Sequence, residues 1–98
     1  MATLLIDDQR NLPVDRVART YQEGIAARAE QYWELLLLDH DLGDYSGPDG
    51  RELTGYDIVC WLEQNPQHLP NRAETVTNNP TGRRRIEFAL RRTRPREI

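Results

Sequence analysis

Two short stretches of this sequence place carboxylates directly after apolar runs. Asp7 and Asp8 follow TLLI, and Asp39 and Asp41 follow four consecutive leucines. Like charges this close raise one another's pKa, so a fold gains nothing from them unless a cation or a phosphoryl group uses them. Carboxylates suit Mg²⁺, which takes only one or two of them directly. The pattern therefore predicts a magnesium site with Asp39 and Asp8 as ligands and Asp7 tuning the site or holding a water of the ion. The alternative is that these acids are solvated turn formers at strand ends.

His40 lies between two of these acids and is a candidate for proton transfer. Its unperturbed pKa is near neutrality, which suits general acid or base catalysis. In an extended segment, however, it points away from Asp39 and Asp41, which share a face. We therefore treat Asp39, His40 and Asp41 as the candidate catalytic residues, with a structural hydrogen bond as the alternative role for His40.

The stretch TNNPTGRRR, residues 77–85, is a second candidate site. Asn79 and Pro80 are typical of a helix cap and a first helical residue, and the free N–H groups of a helix start bind anions. A plain cap does not explain Gly82, which lowers helix propensity in the first turn but lets a ligand approach closely. The predicted phosphate-binding residues of this stretch are Thr77, Asn79, Thr81, Gly82 and Arg83.

Strand and helix patterns alternate along the chain. We predict strands at 3–6, 16–20, 34–38 and 73–77, and helices over about 21–33, 54–65 and 80–92. This order favours a parallel sheet with right-handed crossovers, whose strands all end at one ligand-binding edge. The loop 42–53 is long enough to act as a lid. The side chains expected to converge at that edge are Asp7, Asp8, Asp39, Asp41, Thr77 and Asn79.

The first helix begins at TYQE, a capping box in which Thr20 caps and Glu23 reaches back. TGYD, residues 54–57, repeats this pattern at the start of the second helix, with Asp57 at the N3 position. For the first helix, the spacing predicts an inward face made of Tyr21, Ile25, Ala29 and either Tyr32 or Trp33.

Length and composition indicate one domain, 1–98, of an ordinary globular protein with 38% hydrophobic and 30% charged residues. No apolar run approaches the roughly 20 residues of a membrane helix. Asp7 and Asp8 also interrupt the N-terminus where a signal peptide needs its apolar region. We therefore expect a cytoplasmic protein without membrane contact. The single cysteine, Cys60, agrees with a reducing compartment.

The net charge of −3 conceals an uneven distribution. All thirteen basic residues are arginine, and the last sixteen residues hold seven of them with two glutamates. That segment carries +5, which leaves −8 for residues 1–82. Because arginine pairs with phosphate, an RNA or protein partner at the Arg-rich C-terminus is one interpretation. The other is a basic helix end that only keeps the protein soluble.

Taken together, LLIDDQR, LLLLDHDLGD, TGYDIVCWL and TNNPTGRRR resemble the motifs of cyclic-phosphate processing receiver domains over nearly the whole chain. That family's last motif is H-S-x-N-P-x-G, and here Val76 stands in place of its histidine. The resemblance implies a compact receiver-like three-layer α/β fold with a roughly four-stranded, mostly parallel sheet and three main helices. It also implies a Mg²⁺-dependent role in processing or recognising cyclic phosphate ends of RNA or cyclic nucleotides.

The sequence is similar more broadly to response-regulator receivers, in which an acidic pair and a later aspartate bind Mg²⁺ and accept phosphate. Asp7 and Asp8 match the pair, and Asp39 matches the acceptor. The chain has no lysine to sense the phosphoryl group, so Arg10 or Arg83 would supply that charge. The alternative function is a non-catalytic signalling or nucleotide-binding receiver that docks a partner through its Arg-rich last helix.

Overall fold

The computed structural model describes residues 2–93, which form a four-stranded parallel sheet and three α-helices. The sheet order is β2-β1-β3-β4. This confirms the predicted receiver-like α/β fold. Arg94 and Arg96 of the Arg-rich C-terminus lie outside the described residues. The strands are β1 (Thr3–Ile6), β2 (Arg16–Ala18), β3 (Leu35–Leu38) and β4 (Arg72–Thr75); the helices are α1 (Tyr21–Glu30), α2 (Gly55–Gln64) and α3 (Pro80–Thr93), with short 3-10 helices at Pro48–Gly50 and Pro66–His68.

The core lies between one face of the sheet and the three helices. Leu4 aligns with Leu36 and Ile6 with Leu38, so all four side chains share a face, and all are completely buried. Burying each contributes about 1.5–3 kcal/mol. They form one apolar cluster with residues of every helix, and α2 contacts both α1 and α3. The helices therefore lie side by side on this face.

The opposite face carries Leu5, Leu35 and Leu37, and none of the described helices packs there. Residues 7–15 connect β1 to the parallel β2, and a right-handed connection in that direction crosses this opposite face. A parallel crossover that contains a helix needs a dozen or more residues, so this loop is too short for one. Within the described residues the three α-helices therefore pack on one face of the sheet, and the loop 7–15 crosses the other.

Helix α1 ends earlier than predicted. Gln31 is already extended, and the Trp33 indole Nε1–H donates to the Ala27 carbonyl at 2.8 Å. That carbonyl is one of the last four of the helix, which have no intrahelical donor. The helix therefore stops at Glu30 because Trp33 folds back to cap it and to enter the core.

The predicted inward face of α1 is also partly wrong. Tyr21 and Ile25 are half-buried, but Ala29 is exposed. The helix is closest to the sheet at Gly24, where a Cβ would lie 2.8 Å from Ile6 Cδ1. This close approach turns the helix so that its buried residues are Gly24, Ala27 and Arg28.

Helices α2 and α3 begin at the predicted caps. The Thr54 N–H donates to Asp57 Oδ2 at 2.8 Å, and the Gly82 N–H donates to Asn79 Oδ1 at 3.0 Å. Each cap satisfies an N–H group that the first turn leaves without a partner. None of the helices in residues 2–93 is long and apolar enough to cross a membrane.

Candidate functional site

An open cleft of about 620 Å³ lies where β1, β3 and β4 end. Parallel α/β folds bind ligands at this edge because the loops after successive strands meet there. The cleft contains all six side chains that were predicted to converge. Its lining residues are Asp7, Asp8, Gln9, Arg10, Asp39, Asp41, Thr77, Asn78 and Asn79.

Three of the lining carboxylates form an acidic cluster. Asp7, Asp8 and Asp39 each offer an oxygen within 4.8 Å of the other two. Three hard oxygen ligands at this separation suit a small divalent cation such as Mg²⁺. The predicted metal ligands are therefore adjacent to one another and open to the cleft.

The three acids differ in how firmly the protein holds them. Asp7 is 2% exposed; its Oδ1 accepts the N–H groups of Gln9 and Arg10 at 3.0 Å, and its Oδ2 accepts from Arg10 Nη1 at 2.7 Å. Asp8 makes no hydrogen bond or ion pair within residues 2–93. Asp8 thus has oxygens to spare for a cation, whereas the oxygens of Asp7 already hold its own loop.

Asp39 is buried at the base of the cleft, with 9% of its surface exposed. Burial raises the pKa of its carboxyl, and the charge of Asp7 raises it further. Hydrogen bonds from Thr77 and from the His40 N–H, which lies 2.9 Å from Asp39 Oδ1, act in the opposite direction. A cation here would favour the ionised form and so oppose both causes of the increase. The residues present therefore fit a divalent ion.

Asp41 links the end of β3 to the start of α3. Its Oδ1 lies 3.0 Å from His40 Nδ1, and its Oδ2 accepts from Asn79 Nδ2 at 3.2 Å. The carboxylate itself remains 54% exposed. Asp41 is thus held in a fixed place while its oxygens stay accessible to a ligand.

The His40 ring packs on α3 and does not line the cleft. The residue is 8% exposed, and Nε2 is buried without a hydrogen-bond partner among the described residues. A Cβ on Gly82 would lie 2.4 Å from His40 Cγ. The packing of this ring therefore explains the glycine that sequence reasoning assigned to ligand approach. Among the described residues, the His40 ring is hydrogen-bonded to the cleft lining only through Asp41.

The predicted phosphate-binding residues fall into two groups. Arg10, Thr77 and Asn79 line the cleft, but Thr81, Gly82 and Arg83 do not. The first turn of α3 directs its Gly82 N–H to the side chain of Asn79, so this N–H is not free for an anion. Arg83 Nη2 donates to the Thr77 carbonyl at 2.5 Å, and its side chain lines a second groove, of about 370 Å³, between β4 and α3.

Arg19 supports the acidic loop, a role that sequence reasoning missed. Its Nη1 donates to the carbonyls of Asp7 at 3.2 Å and Arg10 at 2.8 Å, and its Nη2 donates to Asn11. The only sequence signal was the place of Arg19 directly after β2, the strand beside β1.

Asp44, the last acid of LLLLDHDLGD, has a structural role. Its Oδ2 accepts the Tyr21 N–H at 3.0 Å, and its Oδ1 accepts the Ser46 hydroxyl at 2.6 Å; this second bond lowers the pKa of Asp44. Residues 42–53 are anchored by buried Leu42 and Leu53, and none of them lines the cleft. The expected lid therefore does not form part of the cleft.

Known proteins were compared with the chain by family, by curated sequence and by solved structure. The family model of the cyclic-phosphate processing receiver domain matches residues 2–92. Neither the curated proteins nor the solved structures give a match. The matched range includes all four strands and every residue that lines the cleft. The chain therefore belongs to the cyclic-phosphate processing receiver domain family.

Proposed function

We propose that this domain binds Mg²⁺ at Asp8 and Asp39, with Asp7 in support, and processes or recognises a cyclic phosphate ester at an RNA end or in a cyclic nucleotide. The observation that carries the proposal is the cluster of three carboxylates within 4.8 Å, set in a cleft beside arginine and asparagine side chains. Bound Mg²⁺ would neutralise these acids and polarise the phosphorus of a ligand.

Two lining residues, Arg10 and Asn79, supply donors for the phosphate oxygens. Arg10 uses Nη1 on Asp7, which leaves its other N–H groups for an anion. Asn79 follows β4, donates one amide N–H to Asp41 and has a second one for the ligand. The Thr77 hydroxyl, also predicted to bind phosphate, already donates to Asp39. Donors from two separate loops can hold a phosphate by more than one oxygen and so fix its orientation.

Asp41 is the residue that we assign to proton transfer. Opening a cyclic phosphodiester by water breaks one P–O bond, and the water loses a proton while the leaving ribose oxygen gains one. Asp41 is accessible in the cleft, and its position is fixed by His40 and Asn79. His40 acts as a positioning residue for this carboxylate, and Asp39 contributes as a metal ligand.

Phosphorus NMR of 2′,3′-cyclic nucleotides and of cyclic-ended RNA, with protein and Mg²⁺, tests this proposal. A phosphomonoester resonance is expected to appear with time and to be lost in Asp41→Asn and Asp39→Asn. Asp49→Asn is the matched control, because Asp49 is exposed, lies outside the cleft and has a positive φ that asparagine also adopts. If the cyclic phosphate binds in a Mg²⁺-dependent way but no new resonance appears, processing is excluded. Recognition of the cyclic phosphate without turnover is then the function that remains.

A non-catalytic receiver is the second candidate, favoured by the absence of imidazole from the cleft lining. Val76 occupies the family's histidine position, and its backbone N–H donates to the Leu38 carbonyl at 3.0 Å. His40 points its ring at α3. In this case beryllofluoride or acetyl phosphate should change the NMR spectrum of the intact protein but not that of Asp39→Asn. An unchanged spectrum of the intact protein would argue against this candidate.

A further inference from the structure

The outer face of α3 carries two arginines on either side of an exposed phenylalanine. Arg84, Phe88 and Arg91 are four and three residues apart, so they lie in one line along the helix. Ile86 and Leu90 occupy the buried side of α3, opposite this line. We call Arg84, Phe88 and Arg91 the outer strip of α3.

The other described arginines of α3 are already engaged. Arg85 lies over the Tyr56 ring at 4.3 Å, Arg92 pairs with Glu63 at 2.6 Å, and Arg83 donates to a carbonyl.

The two arginines of the strip are different. Arg84 and Arg91 make no hydrogen bond, ion pair or ring contact within residues 2–93. Phe88 is 63% exposed, although core-forming apolar side chains of the same helix are buried. Two unpaired guanidinium groups thus flank an exposed aromatic ring, over which the Arg92 guanidinium lies at 5.8 Å.

We infer that the outer strip of α3 binds single-stranded RNA, so that the ligand of the cleft is the end of an RNA strand. The second part of this inference rests on the proposed function. Guanidinium groups bind phosphates, and an aromatic ring between them gives a base a surface on which to stack. An acidic protein would also pair with Arg84 and Arg91 and pack on Phe88. RNA is favoured because the strip continues from the cleft that is proposed to hold a phosphate ester.

The position of α3 connects the strip to the cleft. Asn79 both caps the helix and lines the cleft, and the strip residues follow along the same helix. At 1.5 Å per residue, Arg91 lies about 18 Å along the axis from Asn79. An RNA whose terminal cyclic phosphate occupies the cleft would therefore run along the strip. The helix carries five arginines and one glutamate, which complements a polyanion.

The test is fluorescence anisotropy with a labelled ten-nucleotide single-stranded RNA, ending in a 2′,3′-cyclic phosphate or in a 3′-hydroxyl. The double variant Arg84→Gln/Arg91→Gln should reduce the slope of log affinity against log salt by about 1.4, since each phosphate contact to a single strand contributes about 0.7. Phe88→Ala should weaken binding by about fivefold or more through lost stacking. Both variants should bind Mg²⁺ and a 2′,3′-cyclic mononucleotide as the wild type does.

Arg16→Gln/Arg51→Gln is the matched control, because it removes the same charge from exposed positions outside α3. It should leave RNA affinity and the salt slope unchanged. The inference is overturned if the strip variants bind RNA as the wild type does. It is also overturned if a poly-glutamate peptide binds as tightly as the RNA, which would indicate an acidic protein as the partner.

The same measurements separate the strip from the cleft. Asp39→Asn should lose Mg²⁺ and mononucleotide binding but keep the salt-dependent RNA binding that depends on the strip. The wild type could bind RNA through the strip and yet show no preference for the cyclic end and no mononucleotide binding. This result would support RNA binding by the strip and overturn the proposed function.

Discussion

Arg28 of helix α1 is a charged side chain in an unfavourable place. It is 1% exposed, and its Nε and Nη1 have no hydrogen-bond partner among the described residues. Burial lowers the pKa of its guanidinium to about 10. We expect Arg28→Met, which keeps the length of the side chain but removes the charge, to raise the free energy of unfolding at pH 7 by about 1–3 kcal/mol. Urea denaturation measures this change.

The pH dependence of the Arg28 effect follows from the direction of its pKa shift. The folded-state pKa lies below the usual value of 12.5, so the cost of the buried charge is full below about pH 10 and declines as pH rises through that value.

The control variant is Arg16→Met, at an exposed site, which should change stability by less than about 0.5 kcal/mol. A destabilised Arg28→Met protein would show instead that the guanidinium makes a net favourable contact.

Helix α3 is positioned by the contact between its first turn and the His40 ring. Alanine in place of Gly82 gains about 1 kcal/mol of helix propensity, but its Cβ would lie 2.4 Å from His40 Cγ. Overpacking of this kind costs about 1–3 kcal/mol. We expect a net loss of up to about 2 kcal/mol for Gly82→Ala, measured by thermal unfolding.

A double-mutant cycle distinguishes this contact from a local effect on the helix. In the His40→Ala background the ring is absent, so Gly82→Ala should become neutral or stabilising. An equal loss in both backgrounds would mean that the glycine is required by the backbone and not by His40.

For the helices and strands, features that depend on a few neighbouring residues could be predicted from the sequence. Features that depend on packing between distant residues could not. The caps at Thr54 and Asn79 follow from a few neighbouring residues, and both were predicted. The convergence of the acids followed from strand order alone, because parallel strands end at one edge. The buried face of α1 depends on the approach of Gly24 to Ile6, and the orientation of His40 depends on Gly82, which is 42 residues away in sequence. Contacts of this kind leave no periodic pattern in the chain.

Across the whole molecule, the acidic edge makes folding stability depend on pH when no cation is bound. The pKa of Asp39 is raised in the folded state above 3.8. Its contribution to stability is therefore full below about pH 3.8 and is lost as pH rises through the folded-state value. At neutral pH the ionised carboxylate, buried near Asp7, lowers the stability of the domain.

Divalent cations should reverse this loss, and thermal unfolding with and without Mg²⁺ measures the effect. At a Mg²⁺ concentration of 100 Kd, binding adds about 2.7 kcal/mol to the free energy of unfolding, and each kcal/mol shifts the Tm of a domain of this size by about 4–8 °C.

Asp39→Asn keeps an oxygen for the His40 N–H but removes the charge. It should therefore raise the Tm without Mg²⁺, by an amount corresponding to about 1 kcal/mol, and abolish the shift with Mg²⁺. Asp49→Asn should leave both values unchanged, and NaCl at the same ionic strength controls for general screening. An equal Mg²⁺ shift in Asp39→Asn and the wild type would mean that the ion binds elsewhere and that the acidic cluster is not the metal site.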